Sequence, residues 1–597
     1  MSARFISYSL GCALAAGCTS PDDALLLQSS PRCSSGSHRA TWPRVEPAPD
    51  GRFSVTRNAL KQSNVSSVAL GDCNDDGLLD VVALGQQLSA ALLVGRGGGR
   101  FEPAPDALPR IGAMTGVFAD LDGDEREDLV LVGQAVSVLP GMGGCRFGAP
   151  VNVASSEDSL QVLVTDANLD GRADLSIVQK NSADAPHRLL LARGDGTFDE
   201  FAPRPSPLFP QQRHGSYIGF GMFYEDLDGD GAMDLFALLD QRQSWFSWGA
   251  QPGEISQSPD PALGSLLATS DAMGVSPLDF DRDGAIDWFV SGIHSRSRLL
   301  RTTGSRCLDN VADAAGVAGV GSDFAWGSYS FDADLDGWLD LLVLRQGPEM
   351  GPDVRPEPGP VDLFLNRHDG TFASAGDAAI GQSFRAKGLA CGPLSVDGTV
   401  GCFAMDLDGP ALMVDGLRPR GRSGLLRLRG TVSAFDATGA RVSVEGAAPP
   451  LVLVAGGQSP YGGEHARVMR VPLGDHETAL VTIQWPSGIR QRGVTVTAGR
   501  LTVAHEPAAV TLSRRVVAAD GESAVEVTVD PRALGAATAT IERAGRGRWG
   551  GEATVDALGV HRVLLAPSQP GEARITVSLD GRALRVLPRV VFAPRIP

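Results

Sequence analysis

The chain has 597 residues and a formal net charge of −18, with 43% hydrophobic and 20% charged residues. This length allows several domains with sizeable cores, and the hydrophobic content excludes an acidic disordered chain. The negative balance argues against nucleic acid as a partner.

The N-terminus reads as an export signal: Arg4 precedes a short, mostly apolar run to Gly17, followed by Cys18. Leu14-Ala15-Ala16-Gly17-Cys18 resembles a bacterial lipobox, which would make Cys18 the acylated first residue of a mature outer-membrane lipoprotein. Ala15 stands where leucine is usual, so ordinary secretion is the alternative, and both place the protein in or beyond the cell envelope. Signal residues 1–18 are followed by residues 19–50, rich in Ser, Pro and Asp, which read as a tether. No other stretch is long and apolar enough to span a membrane as a helix.

Residues 51–415 carry a nine-residue acidic loop six times: DCNDDGLLD, DLDGDERED, DANLDGRAD, DLDGDGAMD, DFDRDGAID and DADLDGWLD. Asp or Asn occupies positions 1, 3, 5 and 9 of each. The residues are Asp72, Asn74, Asp76 and Asp80, then Asp120, Asp122, Asp124 and Asp128, then Asp166, Asn168, Asp170 and Asp174. The later loops supply Asp226, Asp228, Asp230 and Asp234, then Asp279, Asp281, Asp283 and Asp287, and finally Asp332, Asp334, Asp336 and Asp340. Four oxygen-bearing side chains in nine residues repel one another unless a hard cation sits among them, and oxygen-only ligation at a sharp turn favours calcium. The loops begin 48, 46, 60, 53 and 53 residues apart, the period of a four-stranded propeller blade. A damaged seventh copy, DLDGP, starts at Asp406.

After each loop comes a short apolar run such as Leu79 to Leu84, too short for a helix and read as a buried strand. Most repeats then show a tight Gly turn ending in an aromatic, at Phe101, Phe147, Phe198 and Phe372, the mark of a hairpin with a core-facing Phe. Acidic loop, apolar strand and G-D-G-T-F-like turn together resemble the FG-GAP/VCBS repeat of integrin-alpha-type propellers and bacterial surface proteins. The resemblance implies an all-β, seven-bladed propeller with calcium held at loop positions 1, 3, 5 and 9. The loops from Asp226, Asp279 and Asp332 fit best, with Gly231, Gly284 and Gly337 at position 6. Glu125 takes that place in the second loop, and Asn74 and Asn168 each remove a charge, so weaker calcium is expected there.

Residues 416–506 lose the acidic loops and carry Gly439-Ala440-Arg441-Val442, Pro472-Leu473-Gly474 and Trp485-Pro486-Ser487-Gly488. They resemble the ASPIC/UnbV domain of cartilage-acidic-protein-like proteins; Val471-Pro472 departs from the usual Phe-Gly. Trp485 reads as a core ring beneath a strand end rather than a ligand platform. Residues 507–597 alternate apolar and polar residues between Asp-Gly turns, which suggests an Ig-like sandwich. Val517-Ala518-Ala519-Asp520-Gly521-Glu522-Ser523 is similar to the opening of invasin-type bacterial Ig-like domains.

Of eight Cys, Cys12 lies in the signal and Cys18 at the lipobox. The six that remain allow fifteen pairings. Cys391 with Cys402 is the expected disulfide, because the two bracket a short polar loop. The scattered His and the absence of C-x-x-C argue against zinc. Nucleophile-elbow, metalloprotease and P-loop patterns are absent, and Gly545-Arg546-Gly547-Arg548-Trp549-Gly550 lies among β-patterned residues rather than opening a helix. The expected function is therefore a calcium-binding surface or secreted module that engages a protein or polysaccharide, not an enzyme. The alternative is an extracytoplasmic enzyme whose site in the propeller channel leaves no local motif. His214, Tyr217, Trp245 and Trp248 cluster near the irregular fourth repeat, as a ligand face or as filling for a longer blade.

Overall fold

The structure, a computed structural model, describes residues 44–47 and, with internal gaps of which 202–216, 347–356 and 531–538 are the longest, residues 51–593. It is all-β, with two one-turn helices, Ala312–Ala315 and Gly376–Ala379, as the helical elements that have a described extent. Cys18 and most of the tether lie outside the described residues, as does His214. Among the described residues no helix is long and apolar enough to cross a membrane.

Each apolar run becomes a strand that starts at position 9 of its loop and pairs antiparallel with the strand preceding the loop. Asp128–Gly133, Asp234–Leu239, Asp287–Ile293 and Asp340–Gln346 are almost wholly buried. Burial on both faces explains why these strands read as continuous Val/Leu runs rather than alternating ones.

The loops thus mark out consecutive antiparallel groups. The first holds Ser67–Gly71, Asp80–Gly95 and Phe101–Pro103, and the second Gly112–Ala119, Asp128–Gly133, Ala135–Leu139 and Val151–Ser155. The third comprises Ser159–Thr165, Asp174–Ser182, His187–Ala192 and Phe198–Phe201; the fourth Tyr217–Glu225, Asp234–Leu239 and Trp245–Ser247. Asp271–Leu278, Asp287–Ile293, Arg298–Gly304 and Cys307–Asn310 make the fifth, and Phe324–Phe331, Asp340–Gln346, Pro358–Asn366 and Phe372–Ser374 the sixth. The seventh is sewn from both ends of this segment: Ala386–Pro393, Val400–Asp406 and Ala411–Val414 are completed by Ser54–Thr56, which pairs with Ala411–Val414. This arrangement is β-propeller-like.

One expectation is corrected here. In the six regular groups the acidic loop joins the first strand to the second, whereas the stretch from Asp406 joins the second strand of its group to the third. The seventh group's own first connection is Leu394 to Thr399, with Asp397 as its acid. Asp406–Pro410 is thus a different turn with a similar spelling, and the Asp406 carboxylate accepts the N–H of Arg385 and of Asp408.

Residues 422–505 form two sheets. In one, Arg422–Arg429 runs between Met469–Gly474 and, in parallel, Leu501–His505; in the other, the order is Leu451–Val454, Arg441–Val444, Thr478–Gln484, Arg490–Thr497. Trp485 is fully buried among their side chains, and its Nε1 donates to Gln491 Oε1 at 3.1 Å. The turn that follows is fixed by Glu506, which accepts the N–H groups of Thr431, Val432 and Ser433 and the hydroxyls of Ser433 and Ser487. The last segment also forms two sheets. Val525, Val527, Val529 and Leu565 of one share a buried cluster with Ile575 and Val577 of the other.

Residues 462–470 leave the first of these segments and enter the space bounded by the first strands of the repeat groups. Gly463 bridges to Val68, Ala466 N–H donates to the Cys391 carbonyl, and His465 lies between Cys391 and Ser328. A cavity of about 100 Å³ remains there, lined by Thr165, Tyr224, Leu278 and Tyr329 from four different groups and by His465 and Arg467.

Candidate metal centres

All six loops fold on one hydrogen-bond plan. The position-9 carboxylate accepts the N–H of the loop's second residue through one oxygen, at 2.8–3.4 Å. Its other oxygen accepts an N–H from across the following hairpin, at 2.7–2.8 Å: Gly95, Gly141, Ala192, Gly249, Thr302 or Asn366. Asp80, Asp128, Asp174, Asp234, Asp287 and Asp340 are therefore staples that hold each loop to its sheet. Position 1 accepts the N–H of position 6, and position 5 that of position 7. Position 6 is in the left-handed region in every loop, φ +68° to +91°; Glu125, at +68°, is the one side chain there with a Cβ.

On this frame four loops gather carboxylates. One oxygen from each of Asp120, Asp122 and Asp128 lies within 4.8 Å of the others, and the same holds for Asp226, Asp228 and Asp230, for Asp279, Asp281 and Asp287, and for Asp332, Asp334 and Asp336. Three of the four expected members thus meet in each; Asp124, Asp234, Asp283 and Asp340 stand outside these groups. The second loop, with Glu125 at its turn, gathers its acids as the three best-fitting loops do.

The loops from Asp72 and Asp166 make no such group among the described residues. Asp80 instead lies beside Cys73 and Cys145, whose sulfurs are joined as a disulfide and so are not available as thiolate ligands. Cys391 and Cys402 are bonded to each other, and Cys307 is also disulfide-bonded. The Cys73–Cys145 link escaped sequence reasoning, although both residues sit at repeat-defined places, the second residue of one loop and the hairpin turn of the next group.

The donor sets fit a hard cation. Asp281 Oδ1 and Asp334 Oδ1 are buried without a hydrogen-bond donor, a state that costs about 1–3 kcal/mol per group unless something positive satisfies it. Burial, reinforced by neighbouring carboxylates, pushes Asp279 and Asp234 up to about 8 and Asp334 up to about 6; Asp287, Asp332 and Asp340 are also raised well above the usual carboxylate range. A bound cation supplies the charge that lets such groups ionise, and an oxygen-only set suits calcium or magnesium rather than zinc.

Arginines surround the loops. Arg301 lies 2.7 Å from Asp281, Arg306 3.2 and 3.0 Å from Asp228 and Asp230, and Arg420 3.2 Å from Asp334. Arg441 and Arg470 donate to the backbone carbonyls of Asp226 and Asp332. Arg420, Arg427, Arg441 and Arg470 all come from beyond residue 415, so that segment is seated on the face bearing the acidic loops. The bias to 49 Arg over three Lys, which reads as compositional in sequence, supplies these contacts. Trp248 is half-buried, stacked on Phe246, bonded to Asp260 at 2.7 Å and covered by Arg306, which fits filling rather than an open ligand face. The side chains of Tyr217 and Trp245 lie outside the described residues.

No curated protein matches the chain. Among solved structures, an Agrocybe aegerita lectin that recognises non-reducing terminal N-acetylglucosamine is similar at 16% identity and a TM-score of 0.38, over 58% of this chain and 87% of the lectin. The extracellular domain of a putative one-component system from B. thetaiotaomicron is similar at 9% identity and a TM-score of 0.35, over 92% of this chain and 59% of that one. The family model of the FG-GAP-like repeat matches residues 49–131 and 226–290, a region that includes four of the six acidic loops. The chain carries FG-GAP-like repeats in a β-propeller-like, all-β fold.

Proposed function

We propose that the protein is an exported, calcium-binding scaffold whose seven strand groups close as the blades of a propeller and which binds a protein or polysaccharide at the cell surface. The observation that carries this reading is the convergence of three carboxylates in each of four loops built on one hydrogen-bond plan. Identical plans repeated around a fold are the mark of structural clamps, and carboxylates committed to a cation are poor proton carriers. Residues 416–506 act as an ASPIC/UnbV-like cap on the loop face and residues 507–597 as an Ig-like arm, with Cys18 as the lipid anchor. The channel-enzyme alternative is disfavoured because residues 462–470 already occupy part of the space a substrate would need.

Thermal unfolding in metal-stripped buffer and in millimolar calcium tests the metal, and a glycan array with a surface pull-down, each with and without EGTA, tests the binding role. Binding to the folded state at 100 times Kd stabilises by about 2.7 kcal/mol per site. A large calcium-dependent rise in Tm with calcium-dependent capture is expected. An unchanged Tm overturns the metal assignment, and turnover of a model substrate by the purified protein overturns the binding role.

A further inference from the structure

We infer that two of the six loops, those from Asp72 and Asp166, are held by arginine in place of calcium, and that the first of them thereby docks residues 416–506 onto the repeats. This rests on the calcium reading above and deepens it. Three features coincide at these two loops. They alone have Asn at position 3, Asn74 and Asn168, and so have one carboxylate fewer at positions 1, 3, 5 and 9, although the first loop carries a further acid, Asp75, at position 4. Among the described residues, they alone show no carboxylate triad. Each also has a buried guanidinium on its acids.

In the Asp72 loop the guanidinium arrives from outside the repeats. Arg427, in strand Arg422–Arg429, is 6% exposed; its Nη2 donates to Asp72 Oδ2 and its Nη1 to Asp75 Oδ1 at 2.8 Å. Asn74 Nδ2 donates to Asp76 Oδ2 at 2.9 Å, so a positive amide edge points into the oxygens that would otherwise face a metal. In the Asp166 loop the cation is built in at position 7: Arg172 is 5% exposed, its Nη2 lies 3.5 Å from Asp170 Oδ2, and its Nη1 donates to the Ala192 carbonyl at 2.9 Å.

The remaining loops differ in a consistent way. Position 7 is Ala232, Ala285 or Trp338 in three of them, and in the fourth Arg126 is exposed and lies on Asp124, outside that loop's triad. Arg301, Arg306 and Arg420 approach the acids at positions 3 and 5, and the buried Arg282 lies among Asp279, Asp332 and Asp336; the triads remain assembled beside all four. A guanidinium stands in where position 3 offers an amide in place of a carboxylate; a loop with Asp at positions 1, 3, 5 and 9 gathers its acids for a divalent ion. Arginine is suited to the first task because its planar fork of donors stays charged when buried. Burying it also ties the loop to the strand that carries it, which in the first loop belongs to the neighbouring segment.

The test is metal analysis of the full chain after calcium saturation and gel filtration. Four calcium ions per chain are expected. Asp122→Asn, Asp228→Asn, Asp281→Asn and Asp334→Asn should each lower the count to three, whereas Asp76→Asn and Asp170→Asn should leave it at four. A count of six, or a fall on Asp76→Asn or Asp170→Asn, overturns the inference while leaving the calcium reading intact; a count of zero overturns both. Docking is tested separately in calcium-saturated protein: Arg427→Gln should speed amide exchange in strand Arg422–Arg429, and unchanged exchange there overturns that part.

Discussion

Lowering the pH from 7 to 5 should remove the stability that one residue, His465, contributes. Its Nδ1 accepts the Cys391 N–H at 2.9 Å and its Nε2 lies 2.9 Å from the Ser328 carbonyl, which it meets as a donor, so the bonding pattern requires the neutral ring. The ring is 5% exposed and packs 4.6 Å from Tyr329. Burial pushes His465 from 6.5 down to about 3, and a second proton would also set N–H against N–H at Cys391. The unfolded chain takes up a proton near 6.5 and the folded one does not, so the stability is fully present above 6.5 and is lost as pH falls through the interval down to about 3. Between pH 7 and pH 5 linkage makes this about 2 kcal/mol. Glu464 acts in the opposite sense: burial raises it from 4.5 to about 8, so its contribution is fully present below 4.5 and is lost as pH rises from there through about 8. Denaturant unfolding of the wild type and of His465→Asn at the two pH values isolates the His465 share, since the neighbouring Glu464, Arg467 and Asp436 are common to both. The wild type should lose about 2 kcal/mol more than the variant. Equal pH slopes in the two proteins would refute the reasoning.

Glu125→Gly should stabilise the second repeat group by about 1 kcal/mol, because it removes a Cβ from a left-handed position, φ +68°, that glycine holds in the other five loops; an unchanged or lower melting temperature counts against it. The Cys73–Cys145 disulfide closes a separation of 72 residues and Cys391–Cys402 one of 11. Loop-closure entropy gives about 4 and about 3 kcal/mol respectively, so Cys73→Ser with Cys145→Ser should cost more than Cys391→Ser with Cys402→Ser. Denaturant midpoints of the two double variants check the order, and the reverse order would show that local packing rather than chain entropy decides.

The repeat period, the strand type and the acidic loops are visible in sequence because each rests on local chemistry: a nine-residue spacing, a Val/Leu run too short for a helix, a glycine at a left-handed turn. The same holds for Trp485, whose burial follows from an apolar alternating strand beside a turn. Local spelling misled at Asp406, where a similar string forms a different connection, because a loop's place in a sheet depends on which strands pair. Sequence expects positions 1, 3, 5 and 9 together in every loop; the fold gathers positions 1, 3 and 9 in the loops from Asp120 and Asp279 and positions 1, 3 and 5 in those from Asp226 and Asp332.

Other features depend on residues far apart in the chain. Arg427 stands 355 residues from Asp72 and Cys145 stands 72 from Cys73, and no spacing rule connects them. Ser54–Thr56 finds Ala411–Val414 because the first and last groups become neighbours in space. Sequence therefore settles which loops have the chemistry to hold a cation, since that is written in oxygen-bearing side chains within nine residues. Tertiary structure decides which loops bring those oxygens together and which receive an arginine, because charge balance in a buried site is set by whatever the folded chain packs against it.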